Sequence, residues 1–202
     1  MLTGLLILGV RVAAGEAQND ARPGRFDIAA GVGWLWLDSG TASAPANSTP
    51  TFDARLAMRP GGYSWPATIA LGYSFAPSGG DLGDGPRIHR VGVDLGLRVI
   101  DTMGESAAFG AVLELGPSLV DFAPPDVDPD ACRPEDGCLF EGITYEPETV
   151  GAGQLGALVE VLFARRWLFH VGGGALWLPW GENAQRTGHV KPWLFARLGL
   201  ML

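Results

Sequence analysis

The stretch from Ile88 to Ile100, IHRVGVDLGLRVI, alternates with a period of two along its length. His89, Val91, Val93, Leu95, Leu97 and Val99 fall on one side, and Arg90, Gly92, Asp94, Gly96 and Arg98 on the other. Such a pattern predicts a strand and not a helix. Apart from the histidine, one face is aliphatic, whereas the other sets two arginines and an aspartate among glycines and cannot form an oily core. The aliphatic face must therefore meet something extensive and apolar. A soluble sandwich would press it against a second sheet and leave the charges in water. A membrane barrel would press it against lipid and aim the charges into a small lumen.

Composition separates these cases. The 202 residues are 47% hydrophobic and only 18% charged, which is apolar for a soluble domain of this size. No run of eighteen apolar residues occurs, so transmembrane helices are excluded. A β-barrel reconciles the two facts, because alternation conceals lipid-facing residues from any hydropathy window. Thirty glycines and fifteen prolines favour strands and turns over helices, and the net charge of −8 argues against nucleic-acid phosphates as a partner.

Seven further segments repeat the alternation. They run over about Phe26 to Asp38, Thr51 to Arg59, Trp65 to Ala76, Ser106 to Phe122, Gly153 to Ala164, Trp167 to Leu178 and Pro192 to Leu202. Pro117 is placed near the end of its strand or at a bulge. The connections alternate long and short, from the polar Ser39 to Pro50 through the tight turn Pro60 to Ser64 to the loop Pro179 to Val190. The longest, Ala123 to Thr149, holds five prolines and eight carboxylates against one arginine, Arg133. An even strand count with alternating connections predicts an all-β, eight-stranded antiparallel up-and-down transmembrane barrel, with short periplasmic turns and long extracellular loops.

Aromatic residues gather near strand ends. Trp34, Trp36, Phe75, Phe122, Trp177, Trp180 and Trp193 lie beside the long loops, and Phe26, Trp65, Phe163 and Trp167 beside the short turns. Two girdles at the lipid headgroups are expected from this placement. Met1 to Gln18 reads as a signal peptide, with an apolar run from Leu2 to Val10 and small residues at Ala13, Ala14 and Ala17, leaving residues 19 to 202 as a single barrel domain. In an exported chain Cys132 and Cys138 are expected to form a disulfide, whose short loop would be stabilised by roughly 2 to 2.5 kcal/mol.

With these features assembled, Phe26 to Leu202 resembles the small eight-stranded outer-membrane barrels, the family that includes the transmembrane domain of outer membrane protein A. The closing pattern Leu194, Ala196, Leu198, Leu200 and Leu202 is similar to that family's end-strand assembly signal, although an aromatic is commoner where Leu202 stands. The resemblance implies residence in the bacterial outer membrane, contact with its lipid, and insertion by the barrel-assembly machinery. Because the resemblance stops at Leu202, the peptidoglycan-binding domain of longer relatives is not expected.

Asp27, Asp53, Asp94, Glu114 and Glu160 are predicted to point inward against Arg55, Arg90, Arg98 and Arg197, with His170 as a further partner. An eight-stranded barrel is just wide enough for side chains to fill, so these charges should pair and leave no diffusion pore. Catalysis is not expected from them: Glu114 and Glu160 share their face with arginines, and His170 has Gly172, not serine, two positions on. No cofactor is expected. The acidic loop suggests calcium at Asp126, Asp128 and Asp130, but Ala131 stands where the EF-hand loop needs glycine and Gly137 where it needs the closing glutamate. The function expected is structural or interactive, with loop 123 to 149 as the site of any extracellular partner. Two alternatives remain at this point, a soluble lipocalin-like barrel holding an apolar molecule and a rim enzyme acting on lipid.

Overall fold

The computed structural model describes residues 25–37, 48–63, 65–77, 87–103, 107–123, 147–164 and 166–202. The segment Met1 to Gln18 expected as a signal peptide, the expected Cys132 and Cys138 pair and the carboxylates Asp126, Asp128 and Asp130 lie outside the described residues, as does most of the longest loop. Eight strands are described: β1 Phe26–Trp36, β2 Ser48–Met58, β3 Ala67–Ala76, β4 Arg87–Met103, β5 Ala107–Ala123, β6 Glu148–Phe163, β7 Trp167–Trp177 and β8 Val190–Met201. Each pairs antiparallel with its neighbours in sequence, and β1 pairs with β8 from Asp27↔Met201 to Leu35↔Trp193, which closes the barrel. Closure leaves no edge strand, and so no row of backbone donors and acceptors that only water could satisfy.

Side-chain direction settles the question posed by Ile88 to Ile100. Leu95 exposes 55% of its surface on the outside, whereas Asp94 beside it exposes 8%. The same split recurs in Ile28 against Asp27, Phe52 against Asp53 and Val159 against Glu160. This is the reverse of a soluble ligand-carrying barrel, which keeps its aliphatic face inside and its charges in water. The lipocalin-like alternative is thereby overturned.

Some boundaries and roles differ from expectation. β2 and β6 begin earlier than the alternation suggested, and β4 extends through Asp101 to Met103. A β-bulge between Arg98 and Ile100 explains why Val99 and Ile100 are both exposed, since the extra residue interrupts the inward and outward sequence. Pro117 lies well inside β5, opposite Gly153 on β6. On its other side the ladder to β4 passes from Gly92↔Ser118 to Leu95↔Leu115 with no bridge between, where proline has no N–H to offer. The last connection contains a short helix, α1 Glu182–Thr187, whose first amides at Glu182 and Asn183 donate to the Glu148 carboxylate at 3.0 and 2.8 Å.

Glycine permits the tight curl of so small a barrel. A Cβ on Gly31 would fall 1.9 Å from the Ala196 carbonyl oxygen across the β1/β8 seam, and one on Gly116 would fall 1.8 Å from that of Val93. At both places the neighbouring backbone occupies the space that a side chain would need.

Candidate functional site

Alternation delivers the charged residues of six strands to one enclosed space. The end beside the short turns centres on Glu160, which is fully buried on β6. Arg59 grips it with two hydrogen bonds, Nη1 to Oε1 at 3.0 Å and Nη2 to Oε2 at 2.7 Å. Arg98 donates to the same carboxylate and also pairs with Asp101 at 3.3 Å. His170 places Nε2 3.6 Å from Glu160. Arg59 continues to Asp27 at 3.1 Å, and Asp27 joins Arg55 at 3.1 Å. Arg55 then reaches Glu114 at 2.6 Å. This chain of ion pairs links β1, β2, β4, β5 and β6 across the lumen.

Toward the long loops the polarity changes. Asp94 accepts from Gln154. Asp53 accepts from Thr51 and Ser74 at 3.0 and 2.8 Å and lies 3.5 Å from Arg197. Arg90 stacks its guanidinium 4.7 Å above the Trp193 ring, an arrangement stabilised by the ring's negative face. A cavity of about 20 Å³ between Asp53, Ser74, Arg90 and Trp193 has room for one water. Above it, Leu35, Leu37, Ile88, Phe122, Leu176, Leu178 and Ala184 of α1 form an apolar cluster. The lumen is thus layered, with ion pairs in the middle and apolar packing at the long-loop end.

The opposite end is closed by the connection between β2 and β3. Tyr63 has no exposed surface, with Arg98 4.1 Å and Arg59 5.4 Å from its ring centre. Its hydroxyl donates to the Ala108 carbonyl at 3.4 Å, and Leu162, Leu168 and Met201 complete the packing. Burial raises the Tyr63 phenol above its ordinary pKa, so the ring stays neutral beside two guanidiniums.

All nine predicted lumen residues, Asp27, Asp53, Arg55, Arg90, Asp94, Arg98, Glu114, Glu160 and Arg197, point inward with buried side chains. Sequence reasoning missed Arg59, which makes the bases as numerous as the acids. Its parity with Asp53, Arg55 and Ala57 was the available signal. Tyr63 and Lys191 were also missed; the Lys191 ammonium donates to the Leu37 carbonyl from a buried position. Of the expected girdles, Trp34, Trp65, Trp167, Trp177 and Trp180 are exposed on the outside, and Trp36 is half-buried. Trp193 and Phe122 require correction. Trp193 shares the inward parity of Phe195 and Arg197 and packs beneath Arg90. Phe122 shares that of Glu114 and Ser118 and joins the apolar cluster. Proximity to a long loop gave their height in the barrel but not their face.

The arrangement holds charge in place through ion pairs that cross the lumen. Glu114 and Glu160 are each engaged by arginine. Among the described residues no cluster of three or more His, Cys, Asp or Glu side chains is arranged to hold a metal.

No protein-family model matches the chain, and no curated protein sequence does. Solved structures do. The N-terminal β-barrel domain of OprF from Pseudomonas aeruginosa aligns over 90% of this chain and 100% of that one, with a TM-score of 0.56 at 6% identity. Neisserial surface protein A aligns over 88% and 97%, with a TM-score of 0.51 at 12% identity. At such identities the likeness is one of fold, and the shared fold is the closed eight-stranded antiparallel barrel.

Proposed function

We propose that this chain is an integral protein of the bacterial outer membrane, whose barrel is a closed, charge-braced scaffold for surface loops and not a diffusion porin. One observation carries the reading: aliphatic side chains cover the outside while arginines and carboxylates pair within. Only hydrocarbon accommodates such an exterior without penalty. Against a porin role stand the ion pairs across the lumen, the Tyr63 closure at one end and the apolar cluster at the other. On this reading the work is structural or interactive, and the segment 123–149 is the surface that would meet an extracellular partner. The likeness to outer-membrane barrels supports the same placement.

The test has two parts. In fractionated cells the protein should stay in the membrane pellet through a carbonate wash and enter solution only with detergent. Purified protein in planar bilayers should give no stepwise conductance of porin size. Release by carbonate would remove the membrane assignment, and porin-sized steps would remove the closed-lumen assignment.

A further inference from the structure

At the long-loop end of β5 and β6 the protruding aliphatic and aromatic side chains of the exterior are interrupted by a low-lying patch. On β5 and β6, Pro117, Gly151 and Gly153 occupy outward positions, and the next outward residues toward the short turns, Leu115 below Pro117 and Leu155 below Gly153, carry larger side chains. Their low profile forms the floor of a groove of about 580 Å³, walled by Val93 on β4, by Trp177 at the end of β7 and by Trp180 just beyond it. That volume lies within the roughly 300 to 1,000 Å³ of clefts that hold small ligands. The indoles stand directly beside the floor: a Cβ on Gly151 would come 3.3 Å from Trp180, and one on Gly153 3.6 Å from Trp177. The two tryptophans keep 56% and 61% of their surface exposed. No ionisable side chain lines the groove.

We propose that this groove is a binding site for one acyl chain of a membrane lipid, held between the glycine floor and the paired indoles. The inference rests on the membrane reading above, because the groove opens onto the same aliphatic belt and its occupant must come from the phase around that belt. Shape selects the occupant. A second barrel is convex and would rest on the Val93 and Trp177 rims without filling the floor, whereas a single flexible hydrocarbon chain can lie along it. The absence of charge removes any anchor for a polar peptide. Trp177 and Trp180 lie at the long-loop end of the strands, where amphipathic indoles meet headgroups, so the bound chain belongs to the outward leaflet.

Native mass spectrometry tests this on the full chain, folded into palmitoyl-oleoyl phosphatidylcholine vesicles and released into mild non-ionic detergent. A species carrying one phospholipid is expected. Gly153→Leu, which fills the floor, should lower the retained fraction at least tenfold, and Ala157→Leu on the same outward face of β6 should leave it unchanged. Trp180→Ala, outside the strands, provides a second variant should the leucine disturb folding, and it too should lose the lipid. Equal retention in wild type and both groove variants overturns the proposal, as does a folded wild-type barrel with no lipid attached. A mass of two barrels overturns it in favour of a second copy. Failure to enter vesicles at all overturns the membrane reading as well, so the two failures are distinguishable.

Discussion

At the scale of single residues, the lumen shows how much depends on pairing. Arg59 neutralises both Asp27 and Glu160 in a place with no exposed surface. Removing one partner of a buried ion pair typically costs about 3 to 5 kcal/mol, because the remaining charge is left without water or counter-charge. Arg59→Ala is therefore expected to lower barrel stability by about that amount in urea titrations from lipid vesicles. A loss below about 1 kcal/mol, the scale of an exposed pair, would mean that water reaches the site. Gly31→Val makes a different demand. Its Cβ would have to displace the Ala196 carbonyl, so the β1/β8 seam should fail to close and the heat-dependent shift in gel mobility typical of intact barrels should vanish. Arg59 was legible in principle, since it continues the inward parity of Asp53, Arg55 and Ala57 by one more step. Tyr63 was not legible, because turn residues carry no periodicity to announce that a connection folds back inside.

Among the elements, β4 declares the architecture most clearly. Its mid-strand Leu95 faces outward with 55% exposure. Leu95→Arg should cost about 2 to 4 kcal/mol in lipid, the depth-dependent penalty for a charge near the bilayer midplane, and should cost little were that face in water. The short helix α1 offers a gentler test. Glu148 on β6 caps its first amides, and Ala184 fastens it to the apolar cluster. Losing a cap of this kind typically costs about 1 kcal/mol locally. Glu148→Ala should accordingly quicken protease cleavage between Leu178 and Val190 with little change in the unfolding midpoint; unchanged cleavage would show that packing alone holds the helix. The alternation that made the strands readable could not reveal α1, which is too short for a period of 3.6 to register. Nor could it reveal the bulge at Val99, because two aliphatics in succession carry no parity that tells one face from the other.

For the molecule as a whole, strand number and side-chain polarity were written in the sequence because a closed sheet with unlike surroundings on its two faces imposes a period of two everywhere. Which acid meets which base was not written there, since that depends on how far the strands slide past one another when the sheet closes. The closed lumen has a direct readout. Tyr63→Ala should open the short-turn end, and conductance in planar bilayers should exceed the wild-type background; an unchanged trace would assign the seal to the apolar cluster at the other end. The span of the ion pairs has one more consequence. Arg59 and Glu160 stand 101 residues apart in sequence, and Arg55 and Glu114 stand 59 apart. A partly wound sheet would leave these groups far from their mates and hydrated, so little of their attraction is available to an incomplete hoop. The last seam to zip would expel that water and engage every cross-brace together, making insertion an all-or-none event in which half a barrel has little standing of its own.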